Sequence, residues 1–342
     1  MAYTGKQLDT KLYNVYTKAE ADATASTLNT AIGTKVNSAD LQGLVETYAP
    51  QQIVKSATAP SNPSNGDFWF DTDDFAFKFY DGSEWQLIKN AFAATGGTVS
   101  ESSGYRYHTF TTSGTFTVTK GGTDVEYLII AGGGGGATSN GGGGGAGGYI
   151  AGAAAVTLGS YSITVGGGGP AAPRVPTTGY DGGNSSFNGV TAVGGGAAGG
   201  DDYGGRAGGS GGGASDNARS GGAGTTGQGY RGGNTADDNS GGAGGGGAGG
   251  MGADVTSSNY GTASSHYGGA GLTWEDGVTR ASGGCGCFKQ GSTLVGPVTG
   301  GGGRGGIATA GTANTGGGGG GSYSTTSGGA GGSGIVIIRY PI

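Results

Sequence analysis

Three spacings of apolar residues divide the chain. From Leu8 to Val45, apolar or small residues recur mostly every third or fourth position, at Leu8, Leu12, Val15, Ala19, Leu28, Ile32, Val36, Leu41, Leu44 and Val45. That is the periodicity of one helical face. Thr17 and Glu20 form a capping-box pattern, which predicts a helix start near residue 18, and Pro50 ends the helical reading. A lone helix with so thin a stripe is marginal in water, so the pattern predicts a coiled-coil stalk over residues 1–55 that buries the stripe against copies of itself. A monomeric helical hairpin is the alternative.

The spacing changes after the turn segment TAPSNPSNGD. Strand-like runs at Phe68–Asp71, 75–80 and 85–88 are separated by DTDD and by Asp81-Gly82, a hairpin signal. They predict a small antiparallel meander over residues 56–90, too small to cover its own aromatic rings and therefore packed across subunits. Asp71, Asp73 and Asp74 lack the glycine and distal glutamate of a calcium loop and read as a solvated turn.

Residues 91–342 combine short alternating runs with long glycine stretches. Strands are predicted at Tyr105–Phe110, 115–119, 125–131, 149–151, 161–165, 189–193 and 335–340, the pattern of a small β-sandwich. GIVIIRY near the C-terminus reads as a strand that closes the sandwich after an insertion over residues 194–334. The fold class expected is mixed and modular: an α-helical coiled-coil stalk, an antiparallel β-meander, and a β-sandwich with an inserted polyglycine-II bundle.

Composition bears on that insertion. Of 342 residues, 89 are glycine and 8 proline, so one large conventional core is excluded, and so is collagen with its strict Gly-X-Y register. Without a Cβ, extended threefold chains can pack side by side, turning about 120° and rising about 3.1 Å per residue. Their N–H and C=O groups must then find neighbouring chains. Ordering each residue costs roughly 1–2 kcal/mol, and a hydrogen bond returns only about 0.5–1.5 kcal/mol net. An ordered bundle therefore needs many runs and an anchoring sandwich. A mobile glycine tail is the competing expectation.

Charge and motifs exclude several functions. The formal net charge is −6 with cations scattered singly, so no nucleic-acid surface is expected. The N-terminal stretch has no apolar export core, and the longest apolar runs are too short to span a bilayer. Cys285 and Cys287 are too close for an unstrained bridge and read as small buried thiols; no metal and no cofactor is expected. His108 lies in the alternating run YRYHTF and reads as a strand residue. Neither histidine sits in a hydrolase signature, and GK is followed by Gln7 rather than the P-loop residue. The acidic pairs Asp201-Asp202 and Asp237-Asp238 sit on glycine loops that hold a catalytic pair poorly. The chain is read as a non-enzyme.

The segment YTKAEAD resembles repeats in the stalks of phage tail fibres, and APSNPSNGDFWFDT…FKFYDGSEW is similar to a short module of phage fibre and virion proteins. EYLIIAGGGGGA…GGGGGAGGY…ITVGGGG…GIVIIRY resembles the glycine-rich domain of phage adhesins, with its layered polyglycine-II helices. A related pattern occurs in the extracellular region of some animal receptor kinases. The resemblance implies a homotrimeric tail fibre, assembled in the host cytoplasm and carried on the virion outside the cell. Its partners would be copies of itself, phage tail or baseplate proteins, and a bacterial cell-surface receptor, either a saccharide or an outer-membrane protein. A purely structural fibre or filament, with the bundle as a spacer, is the alternative.

Chain parity locates a contact face. If each glycine run crosses the bundle once from residue 194, about ten crossings return the chain to the sandwich. The distal reversals then fall at 138–140, 201–203, 225–226, 251–267, 287–299 and 322–327. Loops on a rigid scaffold commonly carry recognition, and aromatic side chains with polar tips suit it. Tyr203, Tyr260, His266, Tyr267, Phe288 and Tyr323 are the expected receptor contacts, with Trp274 at the opposite end. The competing reading is that these rings only cap the bundle.

Overall fold

The computed structural model describes residues 53–73, 76–87, 92–173, 178–236, 241–258, 262–288, 299–323 and 327–342. It divides into two units, residues 1–90 and 91–342.

The first unit is a four-stranded sheet of β1 (Ile53–Ser56), β2 (Phe68–Asp71), β3 (Ala76–Tyr80) and β4 (Trp85–Leu87), in that order. β2, β3 and β4 pair antiparallel, whereas β1 pairs parallel to β2. Trp69, Lys78, Tyr80 and Trp85 share one face: Lys78 Nζ lies over the Trp69 ring and 2.8 Å from Asp71 Oδ2, and Trp85 meets both Trp69 and Tyr80 at 5.5 Å. Asp81 closes the β3–β4 turn by accepting the N–H groups of Ser83 and Glu84.

The predicted helical stalk falls on residues outside the described ones, except at its end, where Ile53–Ser56 is a strand. Adjacent β-branched Ile53 and Val54 favour a pleated edge over a helix. Among the described residues there is no α-helix and only one 3-10 turn, Ala263–His266. The α-helical coiled-coil part of the expected fold class gives way to a β and glycine-helix architecture.

In the second unit, two five-stranded sheets face each other. One has the order β10 (Tyr149–Val156), β9 (Thr123–Ile130), β16 (Ile335–Pro341), β7 (Tyr105–Phe110), β6 (Thr98–Ser102). The other has the order β13 (Val190–Ala192), β12 (Ser185–Phe187), β11 (Gly159–Thr164), β8 (Gly114–Lys120), β5 (Ala93–Thr95). All pairings are antiparallel. Phe116, Phe187, Tyr127, Ile129, Val336 and Ile338 fill the space between the sheets. Alternation along β9 and β16 sends Leu128, Ile130, Ile335 and Ile337 to the other face, where Ala146, Ala248, Ala281 and Trp274 cover them. The GIVIIRY strand is therefore buried on both faces, which explains its unbroken apolar run.

Between the strands the chain forms straight glycine rods, and residues 141–148 display their rule. Gly142, Gly145 and Gly148 donate their N–H groups to Gly199, Gly196 and Val193; Gly143 and Ala146 donate to Ala243 and Gly246; Gly141, Gly144 and Gly147 donate to Ser322, Gly319 and Gly316. Every third residue meets the same neighbour, as a threefold polyglycine-II helix requires. The carbonyls follow suit towards three further rods: Gly142 and Gly145 accept from Ala137 and Gly134, Gly143 and Ala146 from Gly213 and Ser210, Gly141 and Gly144 from Cys287 and Gly284. This rod is the axis of a hexagonal array. It is wholly buried, and a Cβ on Gly144 would collide with the carbonyl of Gly134.

Peripheral rods keep the threefold rule with one face in water. In residues 166–170, Gly166 and Gly169 are buried while Gly167 and Pro170 are exposed. Proline suits that outer position, because its φ fits the rod and it leaves no N–H to satisfy.

Candidate functional site

The rods run alternately away from the sandwich and back. The chain leaves β9 along residues 132–137 and returns to β10 along 141–148, and the two rods pair antiparallel through Gly134–Gly145 and Ala137–Gly142. The far end of the bundle is thus built from reversals. Several place short polar residues at positive φ: Ser139 at 54°, Asn140 at 55°, Asp201 at 46°, Asp202 at 70° and Asn217 at 68°. Asn and Asp tolerate that left-handed conformation better than bulkier residues, so the polar breaks in the glycine runs have a geometric cause.

These turns are tied together. Asn140 Nδ2 donates to Asp216 Oδ2 at 2.6 Å, and Ser215 Oγ donates to the Tyr203 carbonyl at 2.9 Å. The Ser322 N–H donates to Ala137 and that of Tyr323 to Gly306. On the other side of the same end, the 3-10 turn brings His266 Nδ1 to 2.7 Å from the Gly242 carbonyl, and the ring meets Phe288 edge-on at 5.3 Å. Cys287 Sγ accepts the Gly242 N–H at 3.2 Å. Cys285 is equally buried, and burial pushes its thiol pKa up. Both cysteines serve as small packing groups within a rod.

The expected contact residues separate on this geometry. Tyr203, Tyr267 and Tyr323 stand at the distal end, with 62%, 37% and 41% of their surfaces exposed. Phe288 is half-buried and His266 is fully buried beneath it, so His266 supports the end rather than facing outward. Tyr260 lies outside the described residues. Trp274 is at the sandwich end, 6.5 Å from Tyr107 of β7.

Chain parity misplaces two of the expected distal reversals. The span 251–267 begins at the sandwich end, where the Gly247 N–H donates to the Gly250 carbonyl and Ala248 packs on Leu128 and Ile130. Residues 225–228 turn beside the sandwich, not at the far end: the Val193 N–H donates to Gln228 Oε1, and the Tyr149 N–H to the Gln228 carbonyl. The chain also reverses inside two stretches read as single crossings. Arg206 pairs antiparallel with Ala197, whereas Ser210 and Gly213 pair parallel with Gly196 and Gly199, so a turn falls near Gly208. Thr309 and Thr312 pair back on Arg304 and Gly301, so another falls at Ile307, which is 60% exposed at the distal end. Sequence reasoning missed Ile307 as a tip residue. The signal was an isolated large apolar side chain in a glycine run.

Among the described residues, no group of three or more His, Cys, Asp or Glu side chains could hold a metal ion, and no helix is long and apolar enough to cross a membrane. The arrangement presents exposed phenol rings, amides and carboxylates on a rigid base.

The chain matches the model of the glycine-rich domain family over residues 110–341. It belongs to that family. The matched span begins at the end of β7 and closes on β16, so it takes in the rods together with most of the sandwich that anchors them. No curated protein matches the chain.

Proposed function

We propose that the chain is a subunit of a bacteriophage tail fibre, carried on the virion, and that the distal end of its glycine-rich head binds a bacterial surface receptor. The observation that carries this reading is the placement of Tyr203, Tyr267 and Tyr323 on turns at the far end of a bundle in which every N–H group along the axial rod, residues 141–148, is paired. Aromatic rings with polar tips, held on loops above a rigid scaffold, bind with little ordering cost. The stalk and module resemblances of residues 1–90 support assignment to a fibre, with self-association as a homotrimer and attachment to phage tail or baseplate proteins.

A spacer role is less favoured by the topology. The chain enters the bundle from β9, β11 and β13 and leaves it into β10, β12 and β16, so all connections lie at one end and the other end is free.

The test is adsorption of the labelled full chain to a panel of bacterial strains. Saturable binding to some strains, lost in the triple variant Tyr203→Ala, Tyr267→Ala, Tyr323→Ala with its thermal midpoint unchanged, is expected. Binding that the triple variant retains in full would remove the distal end from the receptor contact.

A further inference from the structure

At the sandwich end of the head, away from the distal turns, a groove of about 670 Å³ lies between the outer face of the first sheet and the hairpin of β14 (Leu272–Thr273) and β15 (Thr279–Arg280). Its size falls within the ordinary range for a small-molecule site, about 300–1,000 Å³. We propose that this groove is a second binding site, specific for a neutral oligosaccharide. The proposal does not rest on the distal-end reading.

Strand register builds the floor. Ser100 pairs with Tyr107 and Ser102 with Tyr105, and Tyr107 in turn pairs with Arg339. Directly opposed residues project to the same face of a sheet, so serine hydroxyls, tyrosine rings and a guanidinium form adjacent rows. Both serines are exposed and belong to an edge strand. The wall is the hairpin turn, with Glu275, Asp276 and Arg280.

The cations in this groove are already committed. Arg339 Nε and Nη2 donate to Glu126 Oε2 at 2.8 and 2.5 Å, and Nη1 donates to the Tyr107 hydroxyl at 3.3 Å. Its guanidinium lies over Tyr105 at 4.3 Å and over Trp274 at 5.3 Å. Arg280 gives both terminal nitrogens to Asp276, at 3.0 and 2.7 Å. Two cations thus stand among three carboxylates, those of Glu126, Glu275 and Asp276, leaving one negative charge in excess. Glu275 is the most open of the three, its side chain 62% exposed. An anionic ligand would meet this excess charge and find the arginine edges occupied.

A polyhydroxyl ligand fits what remains. Its hydroxyls can donate to the Glu275 carboxylate and exchange hydrogen bonds with Ser100 and Ser102, while the apolar face of a sugar ring can lie against Tyr105. The internal ion pairs hold the floor in place before anything binds, which lowers the ordering cost of association.

The test is saturation-transfer NMR on the full chain with maltohexaose, cellohexaose and chitohexaose as neutral probes, and a galacturonic acid hexamer as the anionic one. Transfer to at least one neutral hexasaccharide and none to the acid is expected. Glu275→Ala should weaken the neutral interaction at least tenfold, Ser102→Tyr should block it by filling the groove, and Tyr323→Ala, at the other end, should leave it unchanged. Circular dichroism checks that each variant is folded. No transfer from any neutral probe at millimolar concentration, equal transfer to the acid, or binding that survives both groove variants would each overturn the proposal.

Discussion

In the sandwich, Phe116 and Phe187 meet edge-on at 6.1 Å and are fully buried between two sheets. In the bundle, residues 141–148 are just as buried, yet carry no side chain larger than a methyl group. The first region is held by apolar surface removed from water. The second is held by backbone hydrogen bonds that run to a different neighbour at each of three successive residues. A core of side chains can repack around a change in volume, whereas a lattice of backbones has no soft atoms to move. The two regions should therefore differ in what damages them.

The largest effect should come from the sandwich. Phe187→Ala is expected to cost about 3–5 kcal/mol, through lost transfer energy and a cavity, measured by chemical denaturation. The bundle should respond to the opposite change. At Gly245, a Cβ would collide with the carbonyl of Gly144, so Gly245→Ala should cost about 1–3 kcal/mol by overpacking, although it adds apolar surface. A neutral or stabilising Gly245→Ala would mean that the rods are loosely packed and would erase the contrast.

The third effect belongs to the sandwich alone. His108 is buried between the Gly96 carbonyl, 2.7 Å from Nδ1, and the Tyr340 hydroxyl, 3.1 Å from Nε2. Burial holds its pKa below the ordinary 6.5, with Arg106 adding to the shift and the Gly96 carbonyl opposing it. The unfolded chain then takes up the proton first as pH falls. The contribution of neutral His108 is fully present above about pH 6.5 and declines as pH drops through that value towards the lower folded pKa. Thermal midpoints should be flat from pH 8 to 7 and fall towards pH 5, with the fall reduced in His108→Gln. An identical slope in the variant would assign the acid sensitivity elsewhere.

The smallest effect sharpens the bundle's geometry. Gly167 points to open space, whereas a Cβ at its neighbour Gly168 would strike the carbonyl of Gly331. Gly167→Ala should change stability by no more than about 0.5 kcal/mol, and Gly168→Ala by clearly more. Equal effects at the two positions would contradict threefold facing.

The difference between the regions also governs what the sequence discloses. Alternation of apolar side chains marked the strand at Tyr105–Phe110 to the residue, and the double burial of β16 over residues 335–338 showed as an apolar run. Strand β6, Thr98–Ser102, went unread because it is an edge strand exposed along its whole length and has no alternation to see. Strand β10 was read as only three residues because its Ala-rich second half, GAAAV, lacks large side chains. In the bundle, the rods were legible from glycine, but their ends were not. A reversal such as 225–228 is fixed by a few side-chain contacts, Gln228 with Val193 and Thr191 and Thr225 with Gly208, and one glutamine among glycines does not say which end it occupies. The stalk expectation failed for a different reason: its helical periodicity ended at Val45 and its helical reading at Pro50, yet the stalk was carried to residue 55, where Ile53–Ser56 pairs as a strand with Phe68–Asp71. The tyrosines of the candidate site were visible by residue type, while the burial of His266 depended on a tertiary contact with Gly242.

Amide hydrogen exchange along residues 141–148 tests the central claim most directly, because all eight N–H groups there belong to buried residues and donate to a carbonyl of another segment. Protection of all eight, at rates close to those of the β9 and β16 amides, is the expected result. Exchange at the rate of an unstructured chain, or protection at alternate residues as in an exposed edge strand, would contradict a threefold glycine bundle.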